Sequence, residues 1–363
     1  MSEVVAVPSA TAGFKAWCLR HIARPQPAQE FVPQIDGLRF VAIVSVVLYH
    51  MQGFAAARLT PSGAATDWLR ALLAQGHYGV PLFFALSGYI LGCPFLGERA
   101  VSLKRYFLRR LTRLEPPYFV CLLLIFALKV WSMDISIAAL SPHLLASLAY
   151  LHGWTYGTQS EVNGVAWSLE VEWQFYLLAP LLFAFIARSR TWGRHIGLWL
   201  AMLIGGVAHA MDYHDAPRVG LSLLHYFGFF AAGAWIAVLD SEGSAPHGAK
   251  RFDLLGLLAW AAILCCLLTG GAALVPLPAL TALVLLCGLR GTMMRRFFGW
   301  WPIYCIGAMC YSVYLYHFFV ISLLGKIVVA SVGTPIPPLQ QLLLLPFALG
   351  AVLLACAIPY LLI

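Results

Sequence analysis

The segment from Asp36 to Met51, DGLRFVAIVSVVLYHM, constrains this chain more than any other stretch. It is an apolar segment long enough to cross a membrane as a helix, yet it holds Asp36 and Arg39 near its start and His50 near its end. An ionisable group in hydrocarbon costs roughly 2.5–3.5 kcal/mol, so a membrane helix that keeps such groups is expected to use them. At about 100° per residue, Arg39 and His50 share one helix face, roughly 16 Å apart. This arrangement predicts a site that holds an anionic group at one end and moves a proton at the other.

The rest of the chain has the same apolar character. Of its 363 residues, 61% are hydrophobic and 10% are charged, a composition typical of polytopic membrane proteins. We predict an all-α integral membrane helical bundle with about ten transmembrane helices. The expected spans are 36–56, 77–96, 114–132, 165–187, 194–212, 219–239, 253–270, 272–290, 299–324 and 339–362. A shorter apolar run, 135–153, is interrupted by Pro142, His143 and His152 and is interpreted as a re-entrant or interfacial segment.

The basic residues indicate how these spans are oriented. With both termini in the cytoplasm, the inside segments hold 17 Lys and Arg residues and the outside segments hold 5. This excess follows the positive-inside rule. The formal net charge of +8 is therefore interpreted as a topology signal, and no nucleic-acid partner is expected.

The first 34 residues are expected to form a cytoplasmic tail, followed by a transmembrane domain over 35–363. In GFKAWCLRHIAR, residues 13–24, apolar side chains lie on one side and Lys15, Arg20 and Arg24 around the other. This pattern is typical of an amphipathic helix on an anionic leaflet. The nine cysteines include no CxxC pair, so we interpret them as core residues and expect no metal site.

Two further segments carry polar groups toward the cytoplasmic side. Ser87-Gly88-Tyr89 interrupts the apolar second span, where a ligand or another helix can approach closely. The loop 97–117 contains KRYFLRRLTRLEPPY, in which Arg109, Arg110 and Arg113 precede a proline pair that is expected to break the helix. Guanidinium groups at a membrane entrance are suited to binding phosphates, although anchoring to lipid head groups explains them too.

The fourth and ninth spans carry the remaining candidate residues. WSLEVEWQFY places Trp167, Glu170, Glu172 and Tyr176 at the mouth of a span, and an intramembrane carboxylate beside aromatic rings indicates function. In CYSVYLYHFFV, three polar aromatic residues recur every three positions and are expected to line the same site: Tyr311, Tyr314 and His317.

Taken in order, five segments resemble the membrane-bound acyltransferase 3 family over roughly 35–363. They are DGLRFVAIVSVVLYH, FFALSGYIL, the Arg-x-x-Arg-Leu-x-Pro run from Arg110 to Pro116, WSLEVEWQFY and YSVYLYH. Cys310 stands where the family commonly has serine, and the chain stops at IPYLLI, where members usually continue.

The resemblance implies an enzyme that moves an acyl group, usually acetyl from acetyl-CoA, onto a hydroxyl of a surface or secreted glycan. It implies that His50 is the proposed catalytic histidine and that Arg39, Arg110 and Arg113 matter for activity. Glu172 falls on the family's carboxylate position, whereas Glu170 falls on a position that varies. A bacterial inner membrane is the expected location.

The expected chemistry assigns a role to each group. Imidazole, with an ordinary pKa of about 6.5, suits His50 as the base that takes the hydroxyl proton. Glu172 would orient the imidazole, and Arg39 or Tyr314 would stabilise the developing oxyanion. The residues expected to bind acetyl-CoA or another acyl-CoA are Arg109, Arg110, Arg113, Ser87 and Tyr89. Those expected to line the acceptor site are Asp36, Trp167, Glu170, Tyr176, Tyr311, Tyr314 and His317.

Two other functions remain open from the sequence. A proton-coupled transporter or glycolipid flippase would use His50, Glu172 and Arg39 to relay protons or bind an anion, but it leaves the basic loop unexplained. A membrane scaffold predicts that replacing His50 or Arg39 changes stability alone. Because His50 lies toward the outer leaflet in this topology, an acyltransferase would have to pass the acyl group through the protein.

Overall fold

The computed structural model describes residues 10–22, 32–58, 64–97, 101–133, 135–211, 213–243, 248–332 and 338–362. Within these ranges the chain is 88% helical and has no strands. Its α-helices are α1 (Ala10–His21), α2 (Pro33–Arg58), α3 (Ala64–Ala74), α4 (Gly79–Leu96), α5 (Leu103–Met133), α6 (Ile137–Leu148), α7 (His152–Tyr156), α8 (Trp167–Arg188), α9 (Thr191–Ala210), α10 (Pro217–Gly220), α11 (Leu223–Ser241), α12 (Lys250–Thr269), α13 (Leu277–Arg290), α14 (Met293–Phe298), α15 (Trp301–Ala308), α16 (Cys310–Val332) and α17 (Pro338–Leu362). Short 3₁₀ turns lie at Gln75–Tyr78, Gly164–Ala166 and Gly271–Leu274.

Nine helical stretches in the described part of the chain are long and apolar enough to cross a membrane. They are Pro33–Phe54, Asp67–Leu96, Leu103–Ser132, Gly164–Arg188, Pro217–Ser241, Lys250–Thr269, Gly271–Arg290, Cys310–Ser331 and Leu343–Leu362. Each overlaps one of the ten predicted spans, so the prediction of an all-α polytopic membrane protein is confirmed.

The tenth predicted span, 194–212, corresponds to α9, which is not among the nine. This helix has 20 residues and packs along α11, but its first turns hold Arg194 and His195, which lower its apolar character. The predicted span 299–324 also begins too early. The chain turns at Met309, and the membrane-length helix starts at Cys310. The preceding short helix packs instead against α2, where Gly307 lies against the backbone of Asp36.

The predicted helix break at Pro116-Pro117 is wrong. α5 continues through both prolines as a single helix of 31 residues. Prolines are tolerated in membrane helices where neighbouring groups stabilise the backbone around them. Here the hydroxyl of Tyr311 on α16 donates to the carbonyl of Leu114 at 2.9 Å, so α16 contacts the helix backbone two residues before the proline pair. Arg110 and Arg113 therefore belong to the same rigid helix as the following span.

The apolar run 135–153 forms the short helix α6 and the start of α7. α6 has 12 residues and its first turn is capped by the Ser136 side chain, which accepts from the Ala139 N–H at 3.1 Å. Since about 20 residues are needed to cross a bilayer, α6 is too short to be a full span, in agreement with the sequence interpretation.

The tail helix α1 packs against the bundle on one side. Cys18 and Ile22 are buried, and the hydroxyl of Tyr360 on α17 donates to the Ile22 carbonyl at 2.6 Å. Trp17 on the other side is 41% exposed. The rest of the predicted tail, residues 1–9 and 23–31 with Arg24, lies outside the described residues. A position of this helix on the lipid leaflet stays a prediction.

Two apolar cores hold the bundle together. The first joins α4, α8 and α11, where the Phe175 and Phe230 rings stack with centroids 4.1 Å apart. The second surrounds α16 and includes Tyr118. Trp173 packs against both cores, so the groups near it lie at their boundary.

The closest backbone approach between α4 and α11 depends on glycine. A Cβ built on Gly233 would overlap the carbonyl oxygen of Ala85, and one built on Gly88 would overlap that of Phe230. Gly88 of the Ser-Gly-Tyr segment therefore serves helix packing, the alternative that the sequence left open for it.

We predict that Gly233→Ala destabilises the protein by about 1–3 kcal/mol because the new methyl group forces α4 and α11 apart. Gly350→Ala on α17 is the matched control, since a Cβ there meets nothing within 4 Å. Denaturant unfolding in detergent micelles measures both. Equal stability of the two variants would contradict this account of the packing.

Candidate active site

The carboxylate of Glu172 is the centre of a polar cluster at the boundary of the two cores. Its Oε1 atom accepts a hydrogen bond from Ser87 Oγ on α4 at 2.5 Å and another from the Tyr176 hydroxyl at 2.6 Å. Hydrogen bonds to an ionised group are short and strong, so two such donors fix the position of this carboxylate. The structure thus brings three of the predicted site residues into direct contact.

Arg39 lies at the same level on α2. Its Nη1 atom lies 2.5 Å from Asp36 Oδ1, and the two side chains are only 15% and 5% exposed. Arg39 also interacts electrostatically with Glu172, and Arg113 interacts with both Arg39 and Asp36. A charge that is removed from water needs a partner of opposite sign, which explains why Arg39 lies beside the buried Asp36 and near Glu172. Arg113 has an exposed side chain and lies at the edge of this group.

Arg110 is held on the other side of Glu172 by aromatic rings. Its guanidinium carbon lies 4.0 Å from the ring centroid of Tyr106 and 5.7 Å from that of Tyr176, and its Nη1 donates to the Tyr106 carbonyl at 3.1 Å. Cation–π contacts of this kind hold a guanidinium without neutralising it. Arg109, on the same helix, is exposed.

A small cavity opens beside Glu172. Its volume is about 10 Å³, the space of roughly one water molecule. It is lined by Arg110, Leu114, Glu115, Tyr150, Leu169, Glu172, Trp173, Tyr176 and Tyr311. Four predicted site residues therefore share this wall, and a nucleotide-sized donor enters only if the surrounding helices separate.

Glu115, Tyr150 and Trp173 line this cavity but were not among the predicted site residues. Glu115 carried a usable signal, because a carboxylate in an apolar helix is a functional candidate. One of its oxygens, Oε2, is buried without a hydrogen-bond partner among the described residues. Tyr150 carried no such signal, since it reaches the cavity from residues 135–163, which we name the outer segment after their predicted side of the membrane.

Tyr150 holds an uncommon backbone conformation. Its φ of 57° is in the left-handed region, which costs a non-glycine residue about 1–3 kcal/mol. Its ring is stacked on Tyr118 at 4.8 Å and meets the Trp173 ring at 5.5 Å. These ring contacts offset the backbone strain and bring part of the outer segment into the cavity wall.

His50 lies away from Glu172, farther along α2. Its ring neighbours are Tyr49, His317 and Phe318, with centroids at 4.9, 5.1 and 5.2 Å. The expected pair between Glu172 and His50 is not formed among the described residues: Glu172 Oε1 accepts from Ser87 and Tyr176, and the ring of His50 contacts α16. The candidate site consequently has two parts, to both of which α2 contributes. We name the part around Glu172 the inner part and the part around His50 the outer part, after the predicted orientation.

The α16 residues take separate places. Tyr311 lines the inner cavity, and His317 meets His50. The hydroxyl of Tyr314 contacts Ser168 Oγ at 2.6 Å and donates its proton to the Val165 carbonyl. Because a hydroxyl has one proton to give, Tyr314 is committed to holding α16 against the start of α8 and has none left for an oxyanion.

Three other predicted site residues have partners outside the cavity. The Tyr89 hydroxyl donates to Asp240 Oδ2 at 2.7 Å, and Asp240 also pairs with Arg290. Glu170 Oε2 accepts from the Gly153 N–H at 2.8 Å at the start of α7. Trp167 packs its ring against Tyr226 and Phe84. Their expected contacts with donor or acceptor therefore have no geometric support in this conformation.

Comparison with known proteins identifies the class of protein that carries this site. A family model described as an acyltransferase domain matches residues 32–363. The chain therefore belongs to the membrane-bound acyltransferase 3 family, as the sequence motifs predicted.

The chain is similar to two O-acetyltransferases of known name. The chain is 25% identical to the peptidoglycan O-acetyltransferase OatA of Listeria monocytogenes over 336 residues, which cover 82% of this chain and 50% of that protein. It is 24% identical to the O-acetyltransferase OatA of Staphylococcus aureus over 326 residues, which cover 79% of this chain and 50% of that protein. The chain thus spans about half the length of these curated relatives. No solved structure matches it.

We predict that Tyr176→Phe lowers the free energy of unfolding by about 1.5–3 kcal/mol, because it removes a hydrogen bond to a charged group and keeps the ring beside Arg110. Tyr156→Phe is the matched control, since that ring lies in the outer segment and is 38% exposed. Unfolding in detergent micelles by denaturant measures both variants. A loss no larger than that of the control would show that Glu172 does not depend on this donor.

The outer segment is expected to loosen in acid because of His152. Its ring is buried, with Nδ1 donating to the Thr158 carbonyl at 3.1 Å and Nε2 lying 2.9 Å from His143 Nδ1. Burial lowers the pKa of His152, and His143 lowers it further, although the Thr158 carbonyl opposes them. In the unfolded segment the pKa of His152 is about 6.5, so His152 takes up a proton there at a higher pH than it does in the folded segment.

The contribution of His152 to stability is thus present above about pH 6.5 and is lost as the pH falls through its lower folded pKa. We expect amide hydrogen exchange across 143–160, corrected for intrinsic rates, to be faster at pH 5.5 than at pH 7.5. The variant His152→Asn keeps a donor for Thr158 and does not titrate, so it should lose most of this pH dependence. An unchanged pH dependence in that variant would refute the assignment.

Proposed function

We propose that this chain is an integral-membrane O-acyltransferase that moves an acetyl group from acetyl-CoA to a hydroxyl of a glycan-type acceptor, with His50 as the general base. The observation that carries this proposal is the arrangement on α2, where Arg39 lies beside the Glu172 cluster and His50 lies farther along the same helix. Membership of the acyltransferase family and the names of the glycan-modifying relatives support the reaction class.

The donor is assigned to the inner part of the site. Arg110 lines the cavity beside Glu172, and Arg113 follows one turn later on the same rigid helix. Guanidinium groups bind phosphates through paired hydrogen bonds, and acyl-CoA presents several phosphates. Arg109 is exposed on this helix and can approach a phosphate outside the cavity. An acyl-CoA with an acyl chain of a different length would bind through the same phosphate contacts.

The acceptor hydroxyl is assigned to the outer part. A sugar hydroxyl is a poor nucleophile at neutral pH, and an imidazole that takes its proton contributes typically 10²–10⁴-fold to the rate. The oxygen then attacks the thioester carbon, the carbon–sulfur bond breaks, and His50 gives the proton to the thiolate of CoA, which leaves as the free thiol. Glu172 acts at the inner part, where it keeps the neighbouring arginines in place rather than orienting His50.

This layout requires the thioester end of acyl-CoA to reach His50 while its phosphates are bound at the inner part. His50 is eleven residues beyond Arg39 on α2, a distance of roughly 16 Å. In a bacterial inner membrane with both termini on the cytoplasmic side, the inner part of the site faces cytoplasmic acetyl-CoA and the outer part faces external glycans. The arrangement would let a cytoplasmic donor modify an acceptor on the other side.

The test uses the full chain in proteoliposomes with [¹⁴C]acetyl-CoA and soluble peptidoglycan fragments. We expect labelled glycan and free CoA in equal amounts, and at least a 100-fold lower rate for His50→Ala. Arg110→Ala should raise the KM for acetyl-CoA, with Arg110→Lys intermediate. His214→Ala is the matched control, because that side chain is 90% exposed on a loop.

Sided experiments separate the alternatives. Labelling of an external acceptor by donor supplied on the opposite side supports transfer through the protein, whereas labelling only when both are on one side refutes that route. Proton-driven uptake of glycan or glycolipid without release of CoA would overturn the enzyme assignment in favour of a transporter or flippase.

A further inference from the structure

His317 is a buried histidine whose ring faces the proposed base from a different helix. It lies on α16, is 0% exposed, and its ring centroid is 5.1 Å from that of His50 with an angle of 47° between the planes. The first and ninth predicted spans are far apart in sequence, so this meeting is produced by the fold.

The backbone around His317 determines which ring nitrogen carries its proton. Nδ1 lies 3.0 Å from the Val313 carbonyl oxygen and 2.7 Å from that of Tyr314. Carbonyl oxygens only accept hydrogen bonds, so Nδ1 must be the protonated nitrogen. The neutral ring then presents a lone pair at Nε2.

That lone pair has no partner in the described part of the chain. Nε2 of His317 is buried and accepts no hydrogen bond there. Buried polar atoms are nearly always hydrogen-bonded, so an unpartnered acceptor calls for an explanation. The polar ring that contacts His317 from another helix is His50, which is half-buried and confined by the rings of Tyr49 and Phe318.

Two other histidine pairs in this protein show that the separation suits a hydrogen bond. His143 and His152 have ring centroids 5.1 Å apart and nitrogens 2.9 Å apart. His209 and His225 have centroids 4.7 Å apart and nitrogens 3.0 Å apart. The rings of His50 and His317 therefore lie at a distance where rotation about the side-chain bonds is enough to join them.

Resting on the proposed function, we propose that His317 is a positioning residue for His50: its Nε2 accepts a hydrogen bond from one ring N–H of His50 and leaves the other ring nitrogen free as the base. This is the role that an orienting group plays in other nucleophile–base pairs. His317 itself contacts neither donor nor acceptor.

The proton balance follows from this arrangement. The acceptor hydroxyl gives its proton to the free nitrogen of His50 while its oxygen bonds to the acyl carbon. The resulting imidazolium keeps its other N–H on His317 Nε2, so the positive charge faces a lone pair. His50 then returns the proton to the thiolate as the carbon–sulfur bond breaks, and His317 ends in its starting state.

The position of His317 is set by a neighbouring contact. Tyr314, one turn earlier on α16, is fixed to the start of α8 through Ser168 and Val165. Because Tyr314 also supplies one carbonyl to His317 Nδ1, the ring and its helix are held together. A supporting group on a rigid helix positions a base more precisely than one on a loop.

Two substitutions test the lone pair specifically. His317→Asn keeps an N–H near the Nδ1 position and removes the acceptor, whereas His317→Gln places a carbonyl oxygen near the Nε2 position. We expect kcat of His317→Asn to fall roughly 10–100-fold with both KM values within about twofold, and His317→Gln to recover to within about fivefold of the wild type.

A double variant provides the decisive control. If His317 acts through His50, then His50→Ala with His317→Asn is no slower than His50→Ala alone. Multiplicative losses in the double variant, equal losses of kcat in the Asn and Gln variants, or a wild-type kcat in His317→Asn would each overturn the positioning role. Rates are normalised to the monodisperse fraction from size-exclusion chromatography.

These outcomes are separate from those that test the proposed function. Absence of acetyl transfer by the wild-type protein overturns the enzyme assignment as a whole. An inactive His50→Ala variant combined with a fully active His317→Asn variant overturns the positioning role alone.

Discussion

The structure depends on one partly buried carboxylate and the groups that hydrogen-bond to it. Glu172 accepts hydrogen bonds from Ser87 on α4 and Tyr176 on its own helix, and it attracts Arg39 from α2. In hydrocarbon none of these groups is stable alone, so the helices that carry them are held together by charge as well as by packing. The apolar cores lie on both sides of this partly buried cluster and lower the local dielectric, which strengthens the interactions within it.

Much of this was predictable from the sequence because membranes impose simple rules. Apolar length defined the spans, and charges kept in apolar helices indicated that Arg39, Arg110 and Glu172 converge. Partner choice was not predictable, because it depends on helix rotation and on atoms far away in sequence. For example, the hydroxyl of Tyr89 donates to Asp240, and the hydroxyl of Tyr314 donates to the backbone carbonyl of Val165. The proline pair misled for the same reason, since the contact of α16 with the backbone of α5 beside these prolines cannot be predicted from the sequence.

The separation of the site into two parts changes how its chemistry is understood. An oriented acid–base pair was expected between Glu172 and His50, yet the carboxylate serves the arginines and the imidazole faces a second histidine. The inner part resembles a cradle for anions, with the guanidinium of Arg110 on two aromatic rings, and the outer part holds two histidine rings in contact. Such a division suits a reaction whose charged donor and uncharged acceptor approach from different directions.

The uninterrupted course of α5 has a mechanical consequence. With 31 residues, it is about 46 Å long and spans the full thickness of the bilayer with room to spare. Arg110 lies near one end, and near the other Lys129 donates to the Glu161 carbonyl of the outer segment at 2.5 Å. Because α5 is one continuous helix through its prolines, a tilt of one end also moves the other end. A tilt of α5 that widens the cavity beside Arg110 therefore also moves the outer segment, which Lys129 contacts at the other end of the helix. The two ends of the site are thus coupled through α5.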